Sequence, residues 1–381
     1  MKVERITRIP AEFLLPDHTR RHGWLSEWNE LAGDLTQLDS DWLLSWWVHF
    51  GGARELCLLA VRDDEGMLHG LAPWYLDRSP AAGGVIRYLG SGVVCTDYLT
   101  ILTLAGSESQ VVDAVADWLL GAGRDCWERI ELVGTDDADV VIPQLMRRLV
   151  DHGNSLHTRP GANTWRLTLP PTWDEYLAGM SGRRRNRVRK VVRTEFDTGV
   201  SLLRETKTSE EFEANWRVFI ELHQARRRSV GDPGVFARPD FAAFLREAAE
   251  RLFAKRELDL LILDRHGRPI SVEFNPAGRG IVFGYQAGID PAALDCQPGH
   301  LMTLARIRRA IGLGKTALDF MRGDERYKAE WGATKRTTTE YRLVQQKPIA
   351  RLRHGMWLAS QQMRQLAKSG IATAHQMLGK E

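Results

Sequence analysis

Residues 258–288 read LDLLILDRHGRPISVEFNPAGRGIVFGYQAG. Leu258 to Asp264 is a short apolar run, Pro269 to Asn275 alternates, and Gly280 to Gly288 is again apolar, so the spacing predicts three strands in quick succession. His266-Gly267 turns the first into the second, and Gly278 to Gly280 turns the second into the third. Successive strand side chains point to opposite faces, which puts Ser271, Glu273 and Asn275 on one side and Val272 and Phe274 on the other.

Upstream, the pattern predicts a helix from Trp173 toward Glu195, a strand Val200 to Arg204, and helices Ser209 to Arg227 and Pro239 to Lys255. Downstream, it predicts a helix from about Gly299 to Gly312, a strand Ala317 to Met321, a short helix and a strand Thr337 to Val344. After the opening helix the order is β-α-α-β-β-β-α-β-α-β. The pair Pro170-Pro171 cannot continue a strand ladder and marks a boundary.

The first half shows a looser version of the same order. Trp42, Trp46 and Trp47 share one side of a helix and read as a core stripe. Leu56 to Val61 and Met67 to Tyr75 form a hairpin around Asp63-Asp64-Glu65-Gly66. Val85 to Leu89, Asp97 to Leu104 and Glu128 to Val133 read as strands, and Gln110 to Leu120 and Val140 to Asp151 as helices. The expected fold class is α/β (α+β). Two similar mixed-sheet domains, 1–169 and 170–346, stand in tandem, and an added helical extension, 347–381, carries Trp357, Leu358, Met363 and Leu366 and packs on the body.

Composition excludes several classes. With 381 residues, 43% hydrophobic and 27% charged, the chain is an ordinary globular one, neither collagenous nor disordered. Lys plus Arg is 52 against 49 for Asp plus Glu, so the bulk charge of +3 names no partner. The four cysteines form no Cys-x-x-Cys pair and have no His at zinc spacing. They read as free thiols in a reducing compartment, with no metal expected. Met1 to Leu15 lacks an uninterrupted apolar region, and no stretch approaches the ~18 apolar residues of a membrane span, so a cytoplasmic location is expected.

Three segments carry chemistry. In Asp295-Cys296-Gln297-Pro298-Gly299-His300, a proline suited to a first helical turn and an open glycine precede an apolar helix, whose start offers N–H groups and a dipole to phosphate. Gln297, Pro298, Gly299, His300 and Leu301 are the candidate phosphate contacts. Asp319-Phe320-Met321-Arg322-Gly323 leaves a strand toward Tyr327-Lys328 and Trp331, and Lys328 is placed to stabilise growing negative charge. Arg183 to Arg193 holds seven basic residues and no acid. Arg184, Arg187 and Lys190, with Arg226 and Arg322, are candidate contacts to an anionic ligand.

These blocks resemble the GNAT acyltransferase superfamily. Trp173 to Val344 is similar to its CelD-like, cellulose-biosynthesis-type branch, related to the Fem-type aminoacyl transferases. The likeness rests on Ser181-Gly182-Arg183 to Arg193, Leu222-His223 with Arg226, Pro298-Gly299, and Asp319-Phe320 through Tyr327-Lys328 to Trp331. In the first half, Trp46-Trp47, Gly70-Leu71-Ala72-Pro73 and Leu89-Gly90 to Asp97-Tyr98 also match. The resemblance implies tandem GNAT-like domains that move an acyl group, as an N-acetyltransferase does, from acetyl-CoA or another acyl-CoA to an amine. The pathways implied make surface polysaccharide or conjugated precursors. Tyr327-Lys328 resembles the aromatic-Lys pair of Fem-type enzymes, whose lysine lies near the reacting groups. The chain departs from the pattern in lacking the Gln-x-x-Gly-x-Gly/Ala loop, keeping only Gln297-Pro298-Gly299.

Acyl transfer to an amine needs a base, because an alkylammonium of pKa ~10.4 cannot attack a thioester. Glu273, Asp319 and His223 are the candidates, in that order, and Tyr285 or Tyr327 is placed to return a proton to the leaving thiolate. The expected partner is a small amine acceptor, for which a nucleotide or lipid linkage would suit the cations; DNA is not expected. Two alternatives stand beside this reading: a Fem-type aminoacyl-tRNA-dependent transferase, in which the basic helix contacts RNA, and a non-catalytic nucleic-acid-binding or scaffold protein on the same fold.

Overall fold

The computed structural model describes residues 1–9, 23–360 and 363. The first half runs β1 (Lys2–Ile6), α1 (Trp24–Ala32), α2 (Ser40–Phe50), β2 (Glu55–Arg62), β3 (Leu68–Ser79), β4 (Gly83–Tyr88) and β5 (Leu102–Thr103). It continues with α3 (Glu108–Leu120), β6 (Arg129–Asp136), α4 (Val141–Asp151), β7 (Ser155–Pro160) and β8 (Thr164–Thr168). The second half runs α5 (Trp173–Ala178), α6 (Gly182–Val191), β9 (Ser201–Glu205), α7 (Ser209–Ser229), α8 (Pro239–Ala254), β10 (Leu258–Arg265) and β11 (Arg268–Pro276). Then come β12 (Ile281–Phe283), β13 (Gln286–Ile289), α9 (Pro298–Gly312), β14 (Ala317–Arg322), α10 (Arg326–Glu330), β15 (Thr334–Arg336) and β16 (Thr338–Val344). A last helix, α11, covers 348–360.

The fold is mixed α/β, as the element pattern predicts. Each half repeats one order: a strand, two helices, four strands, a helix, a strand, a helix and two strands, with α5 and α6 leading into it in the second half. One eight-stranded sheet has the order β1-β2-β3-β4-β6-β16-β7 with β5 against β3, and two four-stranded sheets run β13-β11-β10-β9 and β12-β14-β8-β15. The final strand of each half is therefore inserted in the other half's sheet. β16 lies between β6 and β7, and β8 lies between β14 and β15. The division expected at 169/170 follows chain order but not sheet membership.

Local chemistry places the helices that matter. Asp39 caps α2 by accepting the Trp42 N–H at 2.9 Å, and Thr208 with Glu211 forms a capping box on α7. Trp42 is fully buried and Trp46 nearly so. The Trp42 ring meets Phe244 of α8 edge-on at 5.1 Å and Tyr285 at 5.0 Å, so the tryptophan stripe of the first half packs into the second. Each such buried aromatic contributes roughly 2–3 kcal/mol, and one core thus spans both halves.

Four readings of the sequence change. The helix expected from Trp173 to Glu195 breaks after Ala178, where Gly179 ends α5 and Ser181 starts α6. Asp97 to Leu104 contains only the two-residue β5, which pairs with β3 at Leu102 and Thr103, and the rest is loop. The polar strands β7, β8 and β15 are not announced by alternation, since β7 is an exposed edge and β8 and β15 are set by their partners. Gly280 to Gly288, read as one strand, is two, with a break at Gly284-Tyr285. Of the extension, Leu366 lies outside the described residues. Among the described residues no helix is long and apolar enough to cross a membrane.

Candidate active site

The break at Gly284 makes the site. β12 runs parallel to β14 only over Ile281, Val282 and Phe283, opposite Ala317, Leu318 and Asp319. The Gly284 N–H adds one last bond to the Asp319 carbonyl at 2.8 Å. Beyond it β13 turns away to pair with β11, leaving its other edge without a strand. An ideal Cβ on Gly284 would lie 2.5 Å from Arg306 Nη1, so a side chain there would push the guanidinium aside. The divergence opens a cavity of about 300 Å³. Arg227, Glu273, Gly284 to Ala287, Arg306, Phe320, Arg322, Glu325, Tyr327 and Lys328 line it.

Glu273 on β11 reaches the cavity from the sheet. Its residue is 8% exposed, and its Oε2 lies 2.7 Å from Arg306 Nη1 of α9. Burial raises its pKa above the ordinary carboxylate value, and the Arg306 charge opposes that rise without cancelling it. Arg306 also donates to Asn275 Oδ1 at 2.9 Å and lies 5.2 Å from the Phe320 ring centre.

Tyr327 presents its ring at the cavity wall, edge-on to Phe320 at 5.9 Å. Desolvation pushes its phenol up to about 12, with Arg306 and Glu273 acting on it in opposite senses. The residue body stays 44% exposed, so it is the hydroxyl end that lies among the cavity's charges.

The other candidates are held differently. Asp319 is fully buried, and its carboxylate accepts from Tyr98 Oη at 2.6 Å, Arg166 Nε at 2.7 Å and the Met321 N–H at 2.7 Å. Those bonds tie the two halves together, and Asp319 does not line the cavity. Lys328 is 2% exposed, and its Nζ donates to the carbonyls of Met321, Arg322 and Gly323 at 3.2, 2.7 and 3.0 Å and pairs with Glu325 at 2.8 Å. An ammonium has three N–H donors, so the oxyanion role expected for Lys328 has none left over. It clasps the turn after β14 instead. Tyr285 donates its hydroxyl to the Val94 carbonyl at 2.8 Å, away from the proton-return role expected for it. His223 is fully buried beside the site, with Nε2 3.2 Å from Gln286 Oε1, and burial lowers its pKa. It does not line the cavity.

None of Gln297, Pro298, Gly299, His300 and Leu301 is part of the cavity lining. Pro298 has no N–H, and the N–H groups of His300 and Leu301 both point at the Gln297 carbonyl, at 2.9 and 3.1 Å. Gly299 keeps the one donor of that turn. The helix start is flanked by cations, however: Arg184 lies 5.3 Å from the Trp331 ring centre, His300 stacks on the same ring at 4.6 Å, and Arg184 and Arg187 help burial lower the His300 pKa. Lys190 lies exposed on the same helix. Arg183 to Arg193 makes no ion pair among the described residues. On α7 it is Arg227, not the expected Arg226, that lines the cavity.

Two functional positions escaped the sequence reading. Arg306 was signalled by a cation set among Met302, Leu304, Ala305 and Ile307, the core-facing positions of α9, and it is 4% exposed. Asp97 comes from the first half: its carboxylate accepts from the Arg322 backbone N–H at 3.1 Å and from Arg322 Nε at 2.8 Å. Nothing local to the sequence could have paired residues so distant.

Residues 182–329 match the family model described as an acetyltransferase (GNAT) domain. This is the segment that builds the cavity, and acyl transfer is the reaction class it supports. Among solved structures, the chain is similar to that of FemX at 13% identity and a TM-score of 0.63, covering 87% of this chain and 98% of that one. It is also similar to a conserved protein of unknown function from Bacteroides thetaiotaomicron at 10% identity and a TM-score of 0.54, covering 84% and 97%. At these identities the likeness is one of fold. No curated protein matches the sequence.

Proposed function

We propose that the protein is an N-acyltransferase that moves an acyl group, acetyl in the simplest case, from acyl-CoA to an amine, within the CelD-like branch of the GNAT superfamily. The observation that carries this reading is the buried Glu273 carboxyl at the wall of a cavity opened by the divergence of β13 from β14. A free strand edge can hold the amides of an extended ligand arm by adding them as a further strand. The unpaired cations of α6 beside the Gly299 N–H suit the phosphates at the other end of the donor.

In this mechanism Glu273, its pKa raised by burial, takes a proton from the acceptor ammonium. The freed nitrogen attacks the thioester carbonyl carbon, the C–N bond forms, and collapse breaks the C–S bond. The nitrogen gives up its second proton to solvent. The thiolate takes a proton delivered through Tyr327, which stays a phenol at neutral pH and hydrogen-bonds the departing sulfur. Arg306 holds Glu273 in place, and Arg322, anchored by Asp97, supplies positive charge at the cavity rim. On this reading 170–346 carries the chemistry, 1–169 supports it, and the setting is the cytoplasm.

Titration calorimetry with acetyl-CoA tests the proposal. Binding is expected for the native chain and for Glu273→Gln, with transfer lost only in the variant. Absence of heat and of a thermal shift at millimolar cofactor overturns it. The aminoacyl-tRNA alternative is favoured by the same unpaired α6 cations; retention of charged tRNA without CoA binding, weakening steeply with salt, selects it instead.

A further inference from the structure

Helix α11 meets the body on one side only. Ala350 is 3% exposed, Arg353 pairs with Glu128 and donates to the Pro80 carbonyl at 2.8 Å, and the Arg342 guanidinium lies 4.0 Å from the Trp357 ring centre. The rings of His157 and His354 lie 5.5 and 5.7 Å from that of Trp357. At about 100° per residue these contacts share one arc of the helix.

A neighbouring arc carries Ile349, Leu352 and Met356, which are 47%, 60% and 59% exposed. Single exposed apolar residues are commonplace, but three in register along one helix are a surface with a use. Charge follows the same segment. Between Glu340 and Glu381 there is no Asp or Glu, and there are seven basic residues: Arg342, Lys347, Arg351, Arg353, Arg364, Lys368 and Lys380. Arg342, Lys347 and Arg353 pair with Glu131, Asp125 and Glu128 of the body. Arg351, exposed beside the apolar stripe, has no ion-pair partner among the described residues.

We propose that this face docks the protein on a bilayer of anionic lipid, with the apolar stripe at the boundary of headgroups and acyl chains and Arg351 against lipid phosphates. A second copy of the chain would also cover the stripe, but a two-fold contact sets each acid-free segment against its own like charge. An anionic bilayer satisfies both the stripe and the charge. The body-side contacts of Arg353 and Trp357 hold the helix so that the stripe is presented outward.

The test is co-sedimentation of the full chain with vesicles of phosphatidylcholine alone and of phosphatidylcholine with phosphatidylglycerol. Pelleting is expected with the second only, to weaken as salt is raised, and to fall roughly tenfold or more in the double variant Leu352→Glu, Met356→Glu. Both positions are exposed, so the variant's thermal midpoint should match the native one, which separates lost docking from lost folding. Failure to pellet with either vesicle, or pelleting that the double variant leaves unchanged, overturns the proposal. So does light scattering that shows a dimer in solution dispersed by the same two substitutions.

Discussion

In both halves a pair of parallel strands meets briefly and then parts, but the two partings are put to different use. In the first half β4 and β6 pair at Val85 with Arg129 and Ile86 with Ile130. The chain leaving β4 then folds back on β6, with Thr135 Oγ1 donating to the Leu99 carbonyl at 3.4 Å and Trp42 Nε1 to Thr96 Oγ1 at 3.0 Å. Leu89, Val94, Leu99 and Ile101 are all buried there. In the second half the corresponding gap beside β14 stays open and is lined with ionisable groups. One topology thus serves as a wall where the returning loop is apolar and as a pocket where it is not returned. The wall also builds the pocket, since Asp97 and Tyr98 of that loop grip Arg322 and Asp319.

If only the open gap does chemistry, Glu273→Gln should lower kcat/KM by roughly 10² to 10⁴, measured by thiol release from acetyl-CoA with an amine acceptor. The native profile should rise with pH through the raised Glu273 pKa. The sign follows from the mechanism, since the ionised form is the base, and the variant should lose this limb. An unchanged profile would remove Glu273 from the reaction. Gly288→Val comes next. A Cβ at Gly288 would stand 2.4 Å from the His223 backbone nitrogen, so α7 must shift, at a cost of about 3 kcal/mol read from the urea midpoint.

Making the second gap resemble the first is a sharper intervention. Ala287 is exposed at the cavity wall, and Ala287→Trp should raise the KM for acyl-CoA roughly tenfold, about 1.4 kcal/mol, with little change in thermal midpoint. The smallest effect is expected from Tyr98→Phe. It removes one donor from Asp319 but leaves Arg166 and the Met321 N–H in place, so the loss should be about 1 kcal/mol in chemical denaturation.

Much of this arrangement was legible before the fold. The strands at Leu258, Pro269 and Ala317 carry their apolar pattern locally, and the alternation of Pro269 to Asn275 put Glu273 on its proper face. The break inside Gly280 to Gly288 was not legible, because it is fixed by which strand Ile281 to Phe283 and Gln286 to Ile289 each meet. Asp319 and Lys328 were singled out for their residue types, yet partners fixed by tertiary structure commit them to holding turns and halves together. Arg322 needed Asp97, 225 residues away, to acquire a position at all.

The exchange of β8 and β16 has a mechanical corollary. Force applied just after Val344 is carried by the sheet built largely from the first 160 residues, so a pull on the tail loads the half away from the Glu273 cavity. A protease nick near Pro170 would leave two fragments still woven through each other, eluting together until a denaturant draws each borrowed strand out of its host.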